Sequence, residues 1–184
     1  MSLILGYANK QNAIIMSDGR AGGTVRPSEE YNKTLKFNDN IILGFVGYAE
    51  PIEIFIKHIY AQVGDNIHNM YIENLWHLFE FLLDDEDTQK HLESSFIIIG
   101  RHSNGDMYTS IIGQSTDYKL ECHKVDNVRI LSIGGTISGK IIWETYEKNI
   151  QMFDIDVYTC LKNTICEIAL LDNSVNTNTF SVTI

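Results

Sequence analysis

Three side chains in the first part of the chain could together perform nucleophilic chemistry. Ser2 supplies a hydroxyl close to the start of the sequence, Asp18 a carboxylate and Lys33 an amine. A serine hydroxyl is a weak nucleophile near neutral pH, and a free terminal α-amine with a pKa near ~8 can act as its base. Met1 would have to be removed first, because an amide nitrogen has no basic lone pair. Serine is small enough to permit removal of an initiator methionine, so the sequence leaves this route open.

Two predicted hairpins would carry these side chains. Short apolar runs bounded by polar residues are typical of strands. They predict strands at about residues 3 to 9, 12 to 18, 34 to 37 and 41 to 47. Asn38, Asp39 and Asn40 form a plausible turn between the last two. The hydroxyl, the carboxylate and the lysine then lie within reach of one hairpin.

The order of these residues resembles the start of proteasome β subunits and of the bacterial protease HslV, which are N-terminal nucleophile hydrolases. Ser2 falls where that family carries its catalytic threonine, and Asp18 falls on the family's aspartate. One residue fewer in the following loop brings Lys33 onto the segment that holds the catalytic lysine. The strand and turn that end near Gly47 are similar to those that supply an oxyanion-binding backbone N–H.

The resemblance continues to about residue 183. The segment from Arg129 to Thr136 resembles the glycine-rich turn before the family's fourth long segment, and Asp172 to Phe180 looks like the last strand of HslV. It implies supporting roles for Arg20, Gly135, Thr136 and Asp172. By position, it also implies a pocket for the residue before the scissile bond, lined by Ala21, Tyr31, Phe45 and Ala49.

Several residues depart from the family pattern. Serine replaces threonine at position 2 and lacks the methyl group that restricts the χ1 rotamer. Gly135 stands where active members carry a serine near the terminal amine, which leaves Thr136 or Ser138 as substitutes. Val175 stands where proteasome subunits have a small serine. The three central residues are therefore kept, whereas the residues around them differ.

Composition predicts one compact domain over residues 1 to 184. The chain is 44% hydrophobic with two prolines, which is enough to bury a substantial core. A net charge of −10 argues against nucleic acid and anionic membranes as partners. No segment approaches the roughly 18 to 20 apolar residues of a membrane span, and the start lacks the features of a signal peptide. We therefore expect a cytoplasmic protein.

Neither cysteines nor histidines indicate a metal site. The cysteines have no C-x-x-C spacing, so we predict neither a disulfide framework nor a zinc site, and expect semi-buried thiols at Cys122, Cys160 and Cys166. Solvated or packed roles are favoured for the scattered histidines His58, His68, His77, His91, His102 and His123. The acidic run from Asp84 to Asp87 is interpreted as a solvated helix end. No metal or organic cofactor is expected.

The remaining periodicity predicts an α+β fold. Helical spacing of apolar residues predicts helices at 50 to 63, 71 to 83, 136 to 150 and 154 to 171. Between the second and third helices, four strands are expected to form the second sheet, and a last strand is expected at 175 to 182. The family resemblance implies a four-layer αββα sandwich of two antiparallel sheets flanked by helix pairs. The large aromatic residues on the helices could pack in the core or form a subunit contact, and the core is the default expectation: Tyr60, Trp76, Phe79 and Trp143.

The function that the resemblance implies is cleavage of peptide bonds by a terminal serine nucleophile. Two alternatives stay open: a catalytically inactive proteasome-like structural or binding subunit, and a small-molecule amidase of the same fold. Family members form rings, so a homo-oligomer is expected, and HslV works with an unfolding ATPase. The sequence does not choose between these assemblies.

Overall fold

The computed structural model describes residues 2–20, 28–153 and 156–184, in which nine strands and five α-helices are formed. The strands are β1 (Leu3–Asn9), β2 (Ala13–Asp18), β3 (Thr34–Lys36), β4 (Ile41–Val46), β5 (Ser95–Arg101), β6 (Met107–Gly113), β7 (Glu121–Lys124), β8 (Val128–Gly134) and β9 (Thr179–Thr183). The helices are α1 (Ala49–Val63), α2 (Ile72–Leu83), α3 (Glu86–Leu92), α4 (Gly139–Phe153) and α5 (Val157–Ala169). Among the helices described, none has the length and apolar character needed to cross a membrane.

The strands form two antiparallel sheets, one with the order β8-β1-β2-β9 and the other with the order β3-β4-β5-β6-β7. The expectation that the four middle strands form one sheet is wrong, because β8 pairs with β1, with Leu3 opposite Gly134. An alternating pattern predicts a strand but does not identify its partner. As a result β1 lies inside its sheet, hydrogen-bonded on both sides.

Three apolar clusters separate four layers. One lies between α1, α2, α3 and the five-stranded sheet, and a second lies between α4, α5 and the four-stranded sheet. The third fills the space between the two sheets. On β1, Leu3 and Leu5 point to the helices whereas Ile4 and Ala8 point to the other sheet, as the period of two in a strand requires. The α+β class and the αββα sandwich are thus confirmed.

The helices differ from the expectation in one additional short helix and in the bounds of α4 and α5, the second of which ends at Ala169 instead of residue 171. The acidic run does not simply end a helix: Asp85 accepts a hydrogen bond from the Thr88 N–H at 2.8 Å and caps α3, which was not predicted. This helix has seven residues and buries only Leu92, so it carries no apolar periodicity. Helix α4 begins at Gly139 instead of residue 136.

Two side-chain assignments are also corrected. Trp143 was placed in the core, but 45% of it is exposed, because it lies on the flank of α4 beside the edge strand β8. Phe79 and Trp76 are buried as expected, and Tyr60 packs against the same cluster. Cys122 is exposed on the edge strand β7, whereas Cys160 is buried and Cys166 is intermediate.

Candidate active site

Ser2 lies at the entrance to the central strand β1 and is 6% exposed. Its hydroxyl donates a hydrogen bond to the Arg20 carbonyl at 2.7 Å, and its own carbonyl accepts one from the Gly135 N–H at 2.8 Å. Strands β2 and β8 flank β1, so the residues that follow β2 and β8 meet Ser2 from two sides. Met1 lies outside the described residues.

Asp18 and Lys33 form a buried ion pair next to Ser2. The Asp18 Oδ1 accepts hydrogen bonds from the Lys33 Nζ and from the Leu3 N–H, both at 2.9 Å. The side chains of Lys33 and Asp18 are 4% and 0% exposed. Lys33 also donates to the Asp18 carbonyl at 2.9 Å. The pair therefore contacts the backbone of the residue directly after Ser2.

Burial governs the protonation of Lys33. Removal of its ammonium from water lowers the pKa of Lys33, and the neighbouring Asp18 carboxylate opposes this shift without reversing it. The lysine is thus held closer to losing its proton than a lysine on the surface. Such a group can supply positive charge and also exchange a proton at alkaline pH.

A tight turn after β8 holds the Ser2 carbonyl. Gly134 has φ +82°, and a Cβ at this position would lie 1.8 Å from the Ser2 carbonyl oxygen, so only glycine fits. The Thr136 N–H donates to Asp172 Oδ2 at 2.6 Å, and Asp172 Oδ1 accepts from the N–H and hydroxyl of Ser174. Burial alone would raise the pKa of Asp172, but these hydrogen bonds outweigh burial and hold the pKa well below its usual range.

Gly47 directly follows β4 and packs against Ser94. Its φ is +137°, and a Cβ there would lie 2.2 Å from the Ser94 Oγ. The neighbouring Val46 Cγ1 lies 2.9 Å from the Cβ position of Gly134, which brings the end of β4 close to Ser2. Within the described part of the chain, the Gly47 N–H donates to no backbone carbonyl. Gly47 as a residue is exposed.

The residues expected to line a pocket are only partly brought together. Ala21 lies outside the described residues. Tyr31 is half-buried and donates a hydrogen bond from its hydroxyl to Glu53 Oε1 at 3.0 Å, and burial together with this carboxylate raises the pKa of Tyr31. Phe45 is 7% exposed and packs against Phe96 in the core under α1 and α2, while Ala49 begins α1.

Sequence reasoning did not identify two polar residues near Ser2, Asn176 and Glu29. The Asn176 N–H donates to Asp18 Oδ2 at 3.3 Å, and its side chain contacts both Gly19 and Glu29. Arg20 forms an ion pair with Glu29 at 3.1 Å and also contacts the Asn173 carbonyl. Asn176 and Asp18 are far apart in the chain and share no local motif, so no sequence signal joins them.

Solved structures of HslV and of Anbu proteins share this four-layer fold. Eukaryotic HslV from Trypanosoma brucei superposes with a TM-score of 0.71 at 16% identity, covering 98% of both chains. The Anbu protein in a helical assembly of the Anbu complex from Pseudomonas aeruginosa gives 0.72 at 12% identity, covering 99% of this chain and 80% of that one. Anbu (ancestral beta-subunit) from Yersinia bercovieri gives 0.70 at 10% identity, with 99% and 81% covered.

Sequence comparison adds nothing to this structural likeness. No family model matches the chain, and no curated protein sequence matches it. At these identities the likeness concerns the fold. The chemistry has to be argued from the residues of this chain.

Proposed function

We propose that this chain is an N-terminal nucleophile peptidase, with Ser2 as its nucleophile once Met1 has been removed. The observation that carries the proposal is the convergence on Asp18, whose Oδ1 lies 2.9 Å from both the Lys33 Nζ and the Leu3 N–H. A buried ion pair is costly to desolvate, and apolar residues often replace one without loss of stability. A pair placed against the residue after Ser2 therefore favours a chemical role.

In the proposed reaction the Ser2 Oγ attacks the carbonyl carbon of a peptide bond, and the α-amine of Ser2 takes the hydroxyl proton. The amine passes that proton to the leaving nitrogen, so the C–N bond breaks and an ester on Ser2 remains. Water then attacks the ester and gives a proton to the same amine, which returns it to Oγ as the acid product leaves. Before attack, only the hydroxyl hydrogen has to turn from the Arg20 carbonyl, its partner at 2.7 Å, to the α-amine, while the Oγ atom keeps its position.

The other residues would tune this reaction. The Lys33 ammonium lowers the proton affinity of the hydroxyl and the amine, while Asp18 holds the lysine. The free Gly47 N–H would donate to the oxyanion, and such a donor contributes about 10²- to 10³-fold in rate. Gly135, Thr136 and Asp172 would fix the Ser2 carbonyl from the opposite side, and the Arg20 carbonyl would set the position of the Ser2 Oγ.

The proposed substrate pocket lies beside Tyr31, Phe45 and Ala49, together with Ala21. Because Phe45 is buried against the core, its ring would form the floor of the pocket. The aromatic residues favour apolar or small side chains before the scissile bond. Peptide libraries that vary this one position would test the preference.

A catalytically silent subunit of the same fold is the second candidate. The observation in its favour is the turn at Gly135, which contacts the Ser2 carbonyl through its backbone N–H and has no hydroxyl. The Thr136 N–H is held by Asp172, so any hydroxyl for proton transfer in this turn would have to come from the side chain of Thr136 or Ser138. In this case Ser2 would keep its hydrogen bond to Arg20 and would not react.

The test begins with the intact mass of the untagged protein made from its own start codon. The same sample is then incubated with an epoxyketone or β-lactone inhibitor, in parallel with Ser2→Ala. Loss of Met1 together with an adduct that is absent in Ser2→Ala supports the peptidase. A second preparation, in which a cleaved leader exposes Ser2, separates the cases: if it also gives no adduct, the silent subunit is favoured.

We also propose that the protein self-associates. Large apolar side chains are exposed at Phe81, Leu170 and Leu171, with 72%, 82% and 65% of each side chain accessible. One structural neighbour is described as a helical assembly. Light scattering after size exclusion would measure the number of copies, and Leu170→Asp with Leu171→Asp should lower it. Protein hydrolysis that depends on an added unfolding ATPase would indicate such a partner.

A further inference from the structure

Gly19 and Arg20 follow Asp18 and lead to the carbonyl that binds the Ser2 hydroxyl. The side chain of Asn176, far away in the sequence, binds this stretch at Gly19. Asn176 accepts a hydrogen bond from the Gly19 N–H through Oδ1 at 2.8 Å. Its Nδ2 donates to the Glu29 carbonyl at 2.9 Å and to Glu29 Oε2 at 2.7 Å. A single amide group thus joins both ends of the segment between residues 19 and 29.

Gly19 is fixed on both of its backbone polar groups. Its N–H is bound by Asn176, and its carbonyl accepts from the Tyr31 N–H at 2.8 Å. A Cβ at Gly19 would lie 2.5 Å from the Glu29 carbonyl oxygen and 3.0 Å from the Asn178 Cβ. The backbone at Gly19 is therefore packed closely against its neighbours and has little room to shift.

Arg20, the next residue, is held through both backbone and side chain. Its N–H donates to Asp18 Oδ2 at 3.1 Å, and its carbonyl accepts the Ser2 hydroxyl at 2.7 Å. Its guanidinium contacts Glu29, the residue that Asn176 also binds. Loss of the Asn176 side chain would release the Gly19 N–H and would remove the hydrogen bond to Glu29 Oε2, and both of these contacts lie next to Arg20.

We propose that Asn176 is a positioning residue for the Ser2 nucleophile, acting through Gly19 and Glu29 on the Arg20 carbonyl. This inference rests on the proposed function of Ser2. The Asn176 backbone N–H donates to Asp18, and this contact survives any substitution of the side chain. Variants at position 176 therefore test the side chain alone.

Loss of the Asn176 side chain should change the position of the Arg20 carbonyl and of Ser2 more than it changes the stability of the fold. The side chains of Arg20 and Glu29 are 34% and 61% exposed, and exposed ion pairs contribute little to stability. Geometry matters more for reactivity, since a shift of about 1 Å can cost ~10²-fold in rate. We therefore expect a change in the rate of reaction of Ser2 with almost no change in unfolding temperature.

The experiment compares Asn176→Ala with Asn178→Ala. Asn178 is a matched control, because its Nδ2 also donates to the Glu29 carbonyl at 2.9 Å. It differs in that its side chain makes no hydrogen bond to Gly19. Two readouts are used: the maximal rate and the half-saturating concentration for β-lactone labelling of Ser2, and amide hydrogen exchange at Gly19 and Arg20 measured by NMR.

For Asn176→Ala we expect a maximal labelling rate lowered by ~10-fold, an unchanged half-saturating concentration and faster exchange at Gly19. Asn178→Ala should stay within about twofold of the wild type in each respect. Asn176→Asp keeps an acceptor for Gly19 but loses the donor to Glu29, so its Gly19 exchange should remain slow. If Asn176→Ala exchanges and reacts like the wild type, the inference is overturned.

The two proposals fail in different ways. If the wild type with an exposed Ser2 is not labelled, the proposed function fails, and hydrogen exchange alone then decides whether Asn176 positions this segment. Should Asn176→Ala not fold, faster Gly19 exchange in the weaker variant Asn176→Ser supports the positioning role, and unchanged exchange in that variant overturns it.

Discussion

Two ion pairs lie at the same end of β2, two residues apart in the sequence, and they differ almost entirely in burial. Asp18 and Lys33 are 2.9 Å apart with side chains at 0% and 4% exposure. Arg20 and Glu29 are 3.1 Å apart with side chains at 34% and 61% exposure. Distance alone does not separate them. The buried pair carries a large desolvation cost and must be complete, whereas water can replace either member of the exposed pair.

The largest expected effect comes from Lys33→Ala. It leaves the Asp18 carboxylate buried without its cation and should lower the free energy of unfolding by about 3–5 kcal/mol. Denaturant unfolding measures this change. The double variant Asp18→Asn with Lys33→Met removes both charges and should recover much of the loss. Equal destabilisation in the single and double variants would show that charge is not the cause.

Gly134→Ala tests the turn after β8, on the opposite side of Ser2 from the ion pairs. There the backbone of Gly134 packs against the backbone carbonyl of Ser2. The φ of +82° and the clash with the Ser2 carbonyl should cost about 1–3 kcal/mol and slow labelling of Ser2. Gly139→Ala is the control, because a Cβ there meets no atom within 4 Å. A Gly134→Ala protein that unfolds like this control would contradict the described turn.

The pH dependence of Ser2 labelling tests whether Lys33 of the buried pair has to be protonated for the reaction. The rate should rise through the pKa of the α-amine, which the Lys33 ammonium holds below its ordinary value of about 8, and fall again in alkali. The fall is expected because burial lowers the pKa of Lys33, so its ammonium is lost at a lower pH than that of an exposed lysine. Lys33→Arg should shift the falling limb to higher pH, since arginine keeps its charge. A wild-type rate that does not fall in alkali would argue against a charged Lys33.

The smallest effect is expected for Glu29→Gln in the exposed pair. The hydrogen bond from Asn176, followed by that from Arg20, lowers the pKa of Glu29. A lowered carboxyl pKa adds stability above the ordinary carboxyl pKa, and this is lost as pH falls through the folded-state value. This contribution is present at neutral pH, but the pair is exposed and screened by water, so Glu29→Gln should barely change the unfolding midpoint there. A shift as large as that of Lys33→Ala would remove the contrast between the two pairs.

Local patterns predicted most of the elements, and family resemblance supplied their arrangement. The strands before Gly47 and the helices α1 and α2 follow directly from period and turn residues. The partner of β8 could not be predicted, because pairing between Leu3 and Gly134 depends on the whole core. Helix α3 was missed although Asp85 and Thr88 have the spacing of an N-cap, a signal that composition of the acidic run obscured.

Some residues of the candidate site could be predicted from the sequence and others could not. Ser2, Asp18 and Lys33 were selected by resemblance and lie together in the structure, while their roles remain predictions. Asn176 and Glu29 could not be selected, because their relation to Asp18 exists only after β9 has joined β2. Residues that act only by contacting other site residues are not part of a sequence motif, so their distance along the chain does not identify them.

The position of β1 between β2 and β8 also sets the order of events during synthesis. During synthesis, β1 cannot complete its hydrogen bonds until residues 128–134 have been made, since β8 is its second partner. Ribosomes add about 5–20 residues per second, so β1 waits several seconds with one edge unpaired. Such long-range pairing slows folding and exposes an apolar strand to other chains. A nascent chain stalled before β8 should therefore bind chaperones and lack the Ser2 site.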